Sequence, residues 1–202
     1  MNPALDITTS AQRVGPPTKS VVMASDTTPA GGGINVARIA RTLGAPVSAV
    51  FPAGGPTGDV LADLLTDSGV PFHRVKIGGR TRESFTVYEQ STGQQYRFVL
   101  PGPQLTFAEQ AQCLDELRVV ARPAEFVVAS GSLPPGVPAN YYQRVSEVCR
   151  NLAALFVWTA RVAACSTSVQ VYSCSKPVCE NSGNVPKANW QRRPSKLRRR
   201  KT

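Results

Sequence analysis

The stretch that decides the fold is residues 31–58, GGGINVARIARTLGAPVSAVFPAGGPTG. After its opening glycines, apolar residues recur at helical spacing as far as Leu43, and Gly44 is placed to end that helix in the left-handed conformation. The apolar run 47–51 then predicts a buried strand, and a second glycine-rich turn leads into an amphipathic segment that Gly69 closes. This alternation of helix and strand predicts a parallel sheet covered by helices.

The pattern changes in the middle of the chain. Residues 84–89 alternate between polar and apolar, a turn containing Gly93 follows, and residues 95–99 alternate again. Two such runs around a glycine-containing turn predict a β-hairpin inserted into the α/β body, where it would form a flap over a site. Helical spacing returns from Thr106, and residues 126–130 predict a further apolar strand.

Length and composition fit one folded domain. The chain has 202 residues, 42% of them apolar and 18% charged, which argues against wholesale disorder. It contains no run of about 20 apolar residues, so no membrane span is expected. Its first residues lack the basic and apolar regions of a signal peptide. We therefore expect a cytoplasmic protein without a membrane partner.

Residues 158–202 differ in composition from the rest of the chain. They hold ten of the 23 Lys and Arg residues and one of the 13 Asp and Glu residues, so residues 1–157 are nearly neutral and the remainder is strongly basic. Cysteines are concentrated there as well: Cys165, Cys174 and Cys179. We therefore divide the chain into an α/β body, residues 1–157, and a basic cysteine-containing tail, residues 158–202.

Three interpretations of the tail stay open. The basic run 196–201 is typical of segments that bind nucleic-acid backbones or direct nuclear import. The cysteines form only a weak metal-site pattern, because they lack a Cys-x-x-Cys pair and a neighbouring histidine. The interpretation we favour is a tail translated out of frame and disordered, which accounts for the abrupt change in charge. Read in a shifted frame, the same codons can encode an Asp, an apolar strand and a Glu-Leu helix start. The family resemblance given below implies these features at this point of the chain.

Several polar residues of the body stand where α/β folds bind ligands, beyond the carboxyl ends of strands. The glycines 31–33 open a helix whose N–H groups can face an anion or a hydroxyl, and Asn35 offers a donor and an acceptor. Ser132 follows a buried strand, while Arg82 and Arg97 at the hairpin suit bidentate contact with phosphate. From the residues alone, each also has an ordinary structural role, since glycine turns are common and hairpin arginines usually face solvent.

From the residues alone, four further residues also have an ordinary structural interpretation. Asp6, in a proline-containing turn, predicts a local cap, and His73 is expected to pack or to face solvent. Cys113 and Cys149 fall on predicted helices as small core residues. Neither a Walker A pattern nor a complete dinucleotide fingerprint is present.

Six stretches, in order along residues 1 to about 157, carry a family resemblance. They are NPALD at 2–6, GGGINVAR at 31–38, FPAGG at 51–55, TRE at 81–83, QYRF at 95–98 and SGSLPPG at 130–136. With these motifs the chain resembles the PfkB (ribokinase-like) carbohydrate kinases, especially their 6-phosphofructokinase branch. The resemblance implies a three-layer, Rossmann-like α/β domain with a small β lid built from about 7–29 and 82–100. It further implies phosphoryl transfer from ATP, with Mg²⁺, to fructose 6-phosphate in glycolysis, and a homodimer formed through the lid.

The resemblance also assigns roles to individual residues. Those implied to hold sugar hydroxyls are Asp6, Gly31, Gly32 and Asn35. Those implied to hold the phosphate and its neighbours are Arg82, Arg97 and Ser132, with Lys19 as a further contributor. One departure is Ala30, which stands where the family usually has another glycine.

The larger departure is in the second half of the family pattern. The family's Gly-Ala-Gly-Asp motif, whose Asp is the general base, is absent from this sequence, as are its ATP-binding strands and its Asn-x-x-Glu element for magnesium. We therefore expect a fold incomplete at the C-terminus, with no catalytic, cofactor or metal residues and no activity by itself. The alternative is a non-enzymatic sugar-phosphate-binding domain fused to a nucleic-acid-binding tail, which we favour less.

Overall fold

The structure, a computed structural model, describes residues 1–15, 20–162 and 166–172, with side chains as far as Thr159. The helices of this part are α1 Gly32–Thr42, α2 Gly55–Asp67, α3 Phe107–Val120 and α4 Tyr141–Asn151. Its strands are β1 Ala4–Ala11, β2 Asp26–Ala30, β3 Ala49–Ala53, β4 Phe72–Lys76, β5 Arg82–Glu89, β6 Gln95–Val99, β7 Phe126–Ser130, β8 Leu155–Val162 and β9 Ser166–Tyr172.

Two βαβ units form the body. Strands β3 and β4 run parallel with α2 between them in the chain, and β7 and β8 run parallel with α4 between them. Strand β9 lies antiparallel along the other edge of β8. Helix α1 contacts both β3 and β7, while α3 contacts β3 and β4. The predicted class, parallel strands covered by helices, is confirmed.

The apolar side chains of the body form two clusters. The first lies between α1, α2 and β3, where Leu61 is fully buried and Phe51 nearly so. The second lies between α3, α4 and β8 around Tyr141. Cys113 and Cys149 are both buried free thiols, as expected of small core residues.

Local signals set the helix ends. Gly44 (φ 81°) follows α1 and Gly69 (φ 65°) follows α2, both in the left-handed region as predicted. Helix α3 begins after Thr106, whose hydroxyl accepts the backbone N–H of Glu109 while the Glu109 carboxylate accepts the backbone N–H of Thr106. This reciprocal capping box satisfies N–H groups that the helix leaves unpaired.

The predicted hairpin is present as β5 and β6, with Phe85 opposite Phe98. It belongs to a four-stranded sheet of order β2-β1-β5-β6, here called the lid sheet. The segments expected to form the lid contribute strands to it. Strand β1 runs parallel to β5 over its whole length, which places Asp6 inside a strand. Asp6 therefore does not cap a local turn, which was its ordinary structural alternative, because pairing with the distant β5 extends the backbone there.

The chain continues as strand past the boundary expected at residue 157. That boundary falls inside β8, and β9 follows it. Residues 158–162 and 166–172 are therefore strand, where composition predicted an irregular tail, because β7 and β8 supply backbone partners. Within the part that the structure describes, no helix is long and apolar enough to cross a membrane. The cysteines proposed for the metal pattern lie outside the described residues: Cys165, Cys174 and Cys179.

Glu89, at the end of β5, is a buried carboxylate held by four donors. It accepts hydrogen bonds from the backbone N–H of Val14 at 3.0 Å and from the hydroxyls of Ser91, Thr92 and Tyr96 at 3.1, 2.8 and 3.0 Å. These bonds, that of Val14 first, lower the pKa of Glu89 to about 2. The ionised carboxylate therefore ties the end of the lid sheet to the loop after β1.

The lowered pKa of Glu89 predicts an acid-sensitive lid. Because an unfolded Glu has a pKa of about 4.3, the ionised group stabilises the fold above that pH, and the contribution is lost as the pH falls towards 2. We expect Glu89→Gln to lower the urea midpoint near neutral pH and to flatten its fall under acid. The exposed Glu125 provides the control, Glu125→Gln. Equal acid sensitivity of Glu89→Gln and the unaltered chain, measured by urea unfolding across pH, would contradict this assignment.

Candidate functional site

The N-terminal end of α1 meets the turn that follows β7. Gly31 has φ 122°, a conformation that favours glycine, and its carbonyl accepts the N–H of Asn35 at 2.9 Å. A Cβ on Gly32 would lie 2.5 Å from Ser130 Oγ. The glycines therefore let the two turns touch, and Asn35 is exposed in the first turn of the helix.

This contact predicts opposite effects at two neighbouring glycines. Gly32→Ala should lower the free energy of unfolding by about 1–3 kcal/mol, because the new methyl meets the backbone of Gly131 at 2.7 Å as well as Ser130. Gly33→Ala is the matched control: its Cβ has no neighbour nearer than 4.0 Å, and helix propensity favours alanine by about 1 kcal/mol. Urea unfolding compares them. Equal stability of the two variants would show that the turns are not packed together.

Asn2 connects this corner to the lid sheet. Its Nδ2 donates to Ser132 Oγ at 3.2 Å, and its backbone carbonyl accepts from Arg82 Nη2 at 3.1 Å. Arg82 Nη1 donates to the carbonyl of Leu100 at 3.3 Å. Two buried atoms, Arg82 Nε and Asn2 Oδ1, have no partner in the part of the chain described. Since buried polar atoms are normally paired, this donor and this acceptor mark the cluster as a candidate site.

Charges of both signs meet beside this cluster. Arg97 Nη2 lies 3.6 Å from Asp6 Oδ2, and both side chains are partly exposed. Burial lowers the pKa of Arg82, Asp6 opposes that shift and Arg97 adds to it. Two guanidinium groups and one carboxylate therefore lie close together, and the cluster carries a net positive charge. Guanidinium groups bind phosphate bidentately, and a carboxylate accepts hydrogen bonds from hydroxyls.

The residues singled out by sequence fall on adjoining elements. The lid sheet carries three of them: Asp6 in β1, Arg82 at the start of β5 and Arg97 in β6. The body carries the others at the start of α1 and after β7: Gly31, Gly32, Asn35 and Ser132. The sequence analysis gave Asn2 no role, although its position at the head of the NPALD motif was the available signal. Lys19 lies outside the described residues.

Other chemistry-bearing residues lie elsewhere or are absent. His73, in β4, pairs its Nδ1 with Glu116 Oε1 at 2.9 Å and is half exposed. No group of three or more His, Cys, Asp or Glu residues in the described ranges is arranged to hold a metal ion. The Gly-Ala-Gly-Asp motif does not occur in the sequence.

A body of βαβ units beside a small β-sheet that carries two arginines and a carboxylate is the α/β arrangement that the family resemblance implies. Residues 2–176 match the pfkB family carbohydrate kinase, a match that continues past residue 157. The chain belongs to this family.

Relatives and solved structures agree with that assignment. The chain is 63% identical over 150 residues to ATP-dependent 6-phosphofructokinase isozyme 2 of Mycobacterium tuberculosis, covering 74% of this chain and 44% of the relative. It is 43% identical over 135 residues to the isozyme 2 of Escherichia coli, covering 67% and 43%. The phosphofructokinase-2 crystal structure from Escherichia coli with fructose-6-phosphate matches with a TM-score of 0.72 at 36% identity, over 78% of this chain and 52% of that one. The chain thus spans less than half the length of the curated relatives.

Proposed function

We propose that this chain is the substrate-binding half of a 6-phosphofructokinase-type enzyme and that its ligand is fructose 6-phosphate. The observation that carries the proposal is the pair of buried, unpartnered atoms, Arg82 Nε and Asn2 Oδ1, beside a second arginine and a carboxylate. The phosphate oxygens of a sugar phosphate can accept hydrogen bonds from the guanidinium groups. Its hydroxyls can form hydrogen bonds with a carboxamide or a carboxylate. The names of the relatives and the ligand of the solved structure support the same choice.

The site residues contact two parts of the ligand, the phosphate and the sugar, according to their chemistry. The guanidinium groups of Arg82 and Arg97, with the hydroxyl of Ser132, hold the phosphate. Asp6 and Asn35 hold sugar hydroxyls. Close approach of the sugar to the backbone is possible because two positions lack a side chain: Gly31 and Gly32.

We expect the chain to bind its ligand without catalysing phosphoryl transfer. The relatives are named as ATP-dependent enzymes, but the general-base motif and the nucleotide-binding half of the family pattern are not in this sequence. We therefore expect the purified chain to bind fructose 6-phosphate and to form no fructose bisphosphate. A coupled assay with ATP, Mg²⁺ and fructose 6-phosphate measures this, and steady turnover above a chain-free blank would contradict it.

Calorimetric titration tests the binding itself. Fructose 6-phosphate should bind, whereas fructose without its phosphate should bind at least about tenfold more weakly, because the charge-assisted contacts are lost. Inorganic phosphate serves as the second comparison and should also bind more weakly, because it lacks the hydroxyls. If the three ligands bind alike, or none binds, the proposed site is wrong.

We also propose that two copies of the chain pair through the lid sheet. Several apolar side chains on and next to it are exposed: Val21, Val22, Met23, Tyr88, Phe98 and Val99. A patch of this kind on a soluble chain favours association. One solved relative is described as the tetrameric inhibited form of phosphofructokinase-2 from Escherichia coli, with a TM-score of 0.73 at 35% identity over 78% of this chain and 52% of that one.

A charge on the lid sheet should separate the two copies. Phe98 is 56% exposed in β6, so Phe98→Glu adds a charge to the patch with little effect on the buried core. We expect light scattering to give a dimer for the unaltered chain and a monomer for Phe98→Glu. Phe107, 82% exposed at the start of α3 and outside the lid sheet, gives the control Phe107→Glu, which should remain a dimer. If both variants give the same mass as the unaltered chain, the lid sheet is not the interface.

We propose further that residues 158–202 are read from a different frame than the body, residues 1–157. The support is the change in charge, because ten of the 23 basic residues and one of the 13 acidic residues lie in that segment. Resequencing the coding DNA across codons 150–165 tests it. A one- or two-base correction that opens a frame containing Gly-Ala-Gly-Asp is the expected result, and an unchanged frame would contradict it.

A further inference from the structure

Arg82 lies where the chain passes from the body into the lid sheet. Strand β4 of the body ends at Lys76 and β5 begins at Arg82, so only residues 77–81 connect the two strands. The Arg82 side chain then donates to the backbone carbonyls of Asn2 and Leu100. Its position therefore depends on how this short connection is fixed to the body.

The residue before Arg82 is fixed to the turn that follows β3. The hydroxyl of Thr81 accepts the backbone N–H of Gly54 at 3.0 Å, and the N–H of Thr81 donates to the carbonyl of Gly54 at 2.9 Å. Thr81 is buried, and a Cβ on Gly54 would lie 2.2 Å from the Ile77 carbonyl. The connection therefore packs directly on the backbone of this turn, without room for a side chain at residue 54.

The residue after Arg82 is fixed to helix α2. The Glu83 Oε1 accepts a hydrogen bond from the Thr57 hydroxyl at 2.9 Å. Thr57 is buried in the first turn of α2, and the Glu83 side chain is 24% exposed. The backbone N–H groups at the start of a helix carry partial positive charge, which favours a carboxylate there. The bond between Thr57 and Glu83 is therefore charge-assisted and largely shielded from water.

The Thr57 hydroxyl also holds the connection at a second residue. It accepts the Nε–H of Arg80 at 3.0 Å while it donates to Glu83, and Arg80 Nη2 lies 3.4 Å from Glu83 Oε1. A hydroxyl has one proton and two lone pairs, so one Thr57 oxygen serves both bonds. Since the Arg80 side chain is 68% exposed, its ion pair with Glu83 contributes little, and the bond from Thr57 is the main restraint on Glu83.

This restraint sets the direction of the Arg82 side chain. Successive side chains of a strand point to opposite faces, so binding Glu83 to α2 turns Arg82 to the other face of β5. The strand register places Arg82, Asp6 and Arg97 together on that face of the lid sheet. The contact of Glu83 with the body therefore orients the face that carries the charged cluster.

We propose that Glu83 is a positioning residue for the phosphate site. Held by Thr57, it fixes the start of β5 on the body and so keeps the Arg82 guanidinium in place, without contacting the ligand itself. The opposing interpretation is that the bond between Thr57 and Glu83 only stabilises the fold, as any shielded hydrogen bond does. That the ligand carries a phosphate rests on the function proposed above, whereas the placement of Arg82 is a property of the ligand-free chain.

Hydrogen exchange in the ligand-free full chain tests the positioning by itself. The Nε of Arg82 is buried, so exchange of its proton with water, followed by NMR, reports how firmly the guanidinium is held. We expect Glu83→Ala to speed this exchange by at least about tenfold, because the lost bond involves a charged group. The amide of Val87, further along β5, should change little. An equal increase at both positions would show that Glu83 is merely structural.

Conservative variants identify the bond responsible, and they decide the question if Glu83→Ala does not fold. Glu83→Gln keeps an oxygen that accepts from the Thr57 hydroxyl, so Arg82 exchange should stay near that of the unaltered chain. Thr57→Val removes the hydroxyl and keeps the shape of the side chain, so it should speed the exchange as Glu83→Ala does. Glu125→Ala removes an exposed carboxylate and is the control that should change nothing. Unaltered Arg82 exchange in Thr57→Val would overturn the proposal.

A double-mutant cycle extends the test to the ligand. In calorimetric titration, Glu83→Ala should weaken fructose 6-phosphate binding by about five- to tenfold, but should have no further effect in a chain that already carries Arg82→Ala. Equal weakening in both backgrounds would overturn the role in binding. If the unaltered chain does not bind fructose 6-phosphate, the function proposed above is wrong, and the exchange of the Arg82 Nε proton still decides whether Glu83 positions that side chain.

Discussion

Replacing Arg82 with alanine is expected to weaken fructose 6-phosphate binding by about ten- to a hundredfold. The Arg82 Nε is buried without a partner in the described chain, so a bound phosphate oxygen would gain a charge-assisted hydrogen bond there. Such a bond contributes about 1.5–3 kcal/mol, which corresponds to that range of dissociation constants. Calorimetric titration of the variant gives the value directly.

Two comparisons make the Arg82 result specific. Arg150→Ala, at the exposed end of α4, removes the same charge away from the cluster and should change binding little. Arg82→Lys keeps the charge but loses the planar fork, so it should recover only part of the affinity. Because Arg82 also donates to Asn2 and Leu100, the circular dichroism spectrum of each variant must match that of the unaltered chain. Equal affinity of Arg82→Ala and Arg150→Ala for fructose 6-phosphate would show that Arg82 is not part of the binding site.

Replacing Leu61 with alanine should produce one of the largest losses of stability in the body. Leu61 is fully buried in α2 within the cluster that joins α1, α2 and β3. Truncation removes buried methyl groups and leaves a cavity, which costs about 2–5 kcal/mol for Leu→Ala. Since the free energy of unfolding of a domain is about 5–15 kcal/mol, this loss is a large fraction of the total. The urea midpoint of the variant measures the loss.

The neighbouring Val60 provides the matched control for Leu61. It is 42% exposed on the other side of α2, so Val60→Ala removes apolar atoms from the same helix without making a core cavity. We expect its effect on the free energy of unfolding to stay within about 0.5 kcal/mol. Similar losses at the two positions would mean that α2 does not pack as described.

Much of the body could be predicted from the sequence because its signals are local. Gly44 and Gly69 end helices in the left-handed conformation, and the apolar spacing of α1 and α2 lies within a few turns of chain. The hairpin β5-β6 is equally local, since its turn around Gly93 joins adjacent strands. Periodicity and turn chemistry are sufficient where the partners of an element are near in sequence.

The strands β1 and β2 could not be predicted in the same way. Strand β1 contains Asp6 and three hydroxyl residues, and its parallel partner β5 lies about 80 residues away in the chain. Strand β2 carries Pro29, which a sequence pattern assigns to a turn, but β2 is an edge strand where proline is tolerated. Pairing distant in sequence gave these segments their structure, and no local pattern reports it.

Only part of the site could be predicted from the sequence. Motif resemblance singled out Arg82, Arg97 and Asp6, but spacing alone could not distinguish them from solvent-facing hairpin residues. The packing of the lid sheet on the body, through Asn2, leaves a donor and an acceptor buried and unpaired. That feature belongs to the tertiary structure.

The most direct test of the account is an NMR titration of the full chain with fructose 6-phosphate. The central claim is that the cluster between the lid sheet and the body binds a sugar phosphate. We expect amide signals at Gly32, Asn35 and Ser132 and the guanidinium Nε–H signal of Arg82 to shift together, with one dissociation constant. Absence of shifts at these positions, or shifts confined to residues away from this cluster, would contradict it.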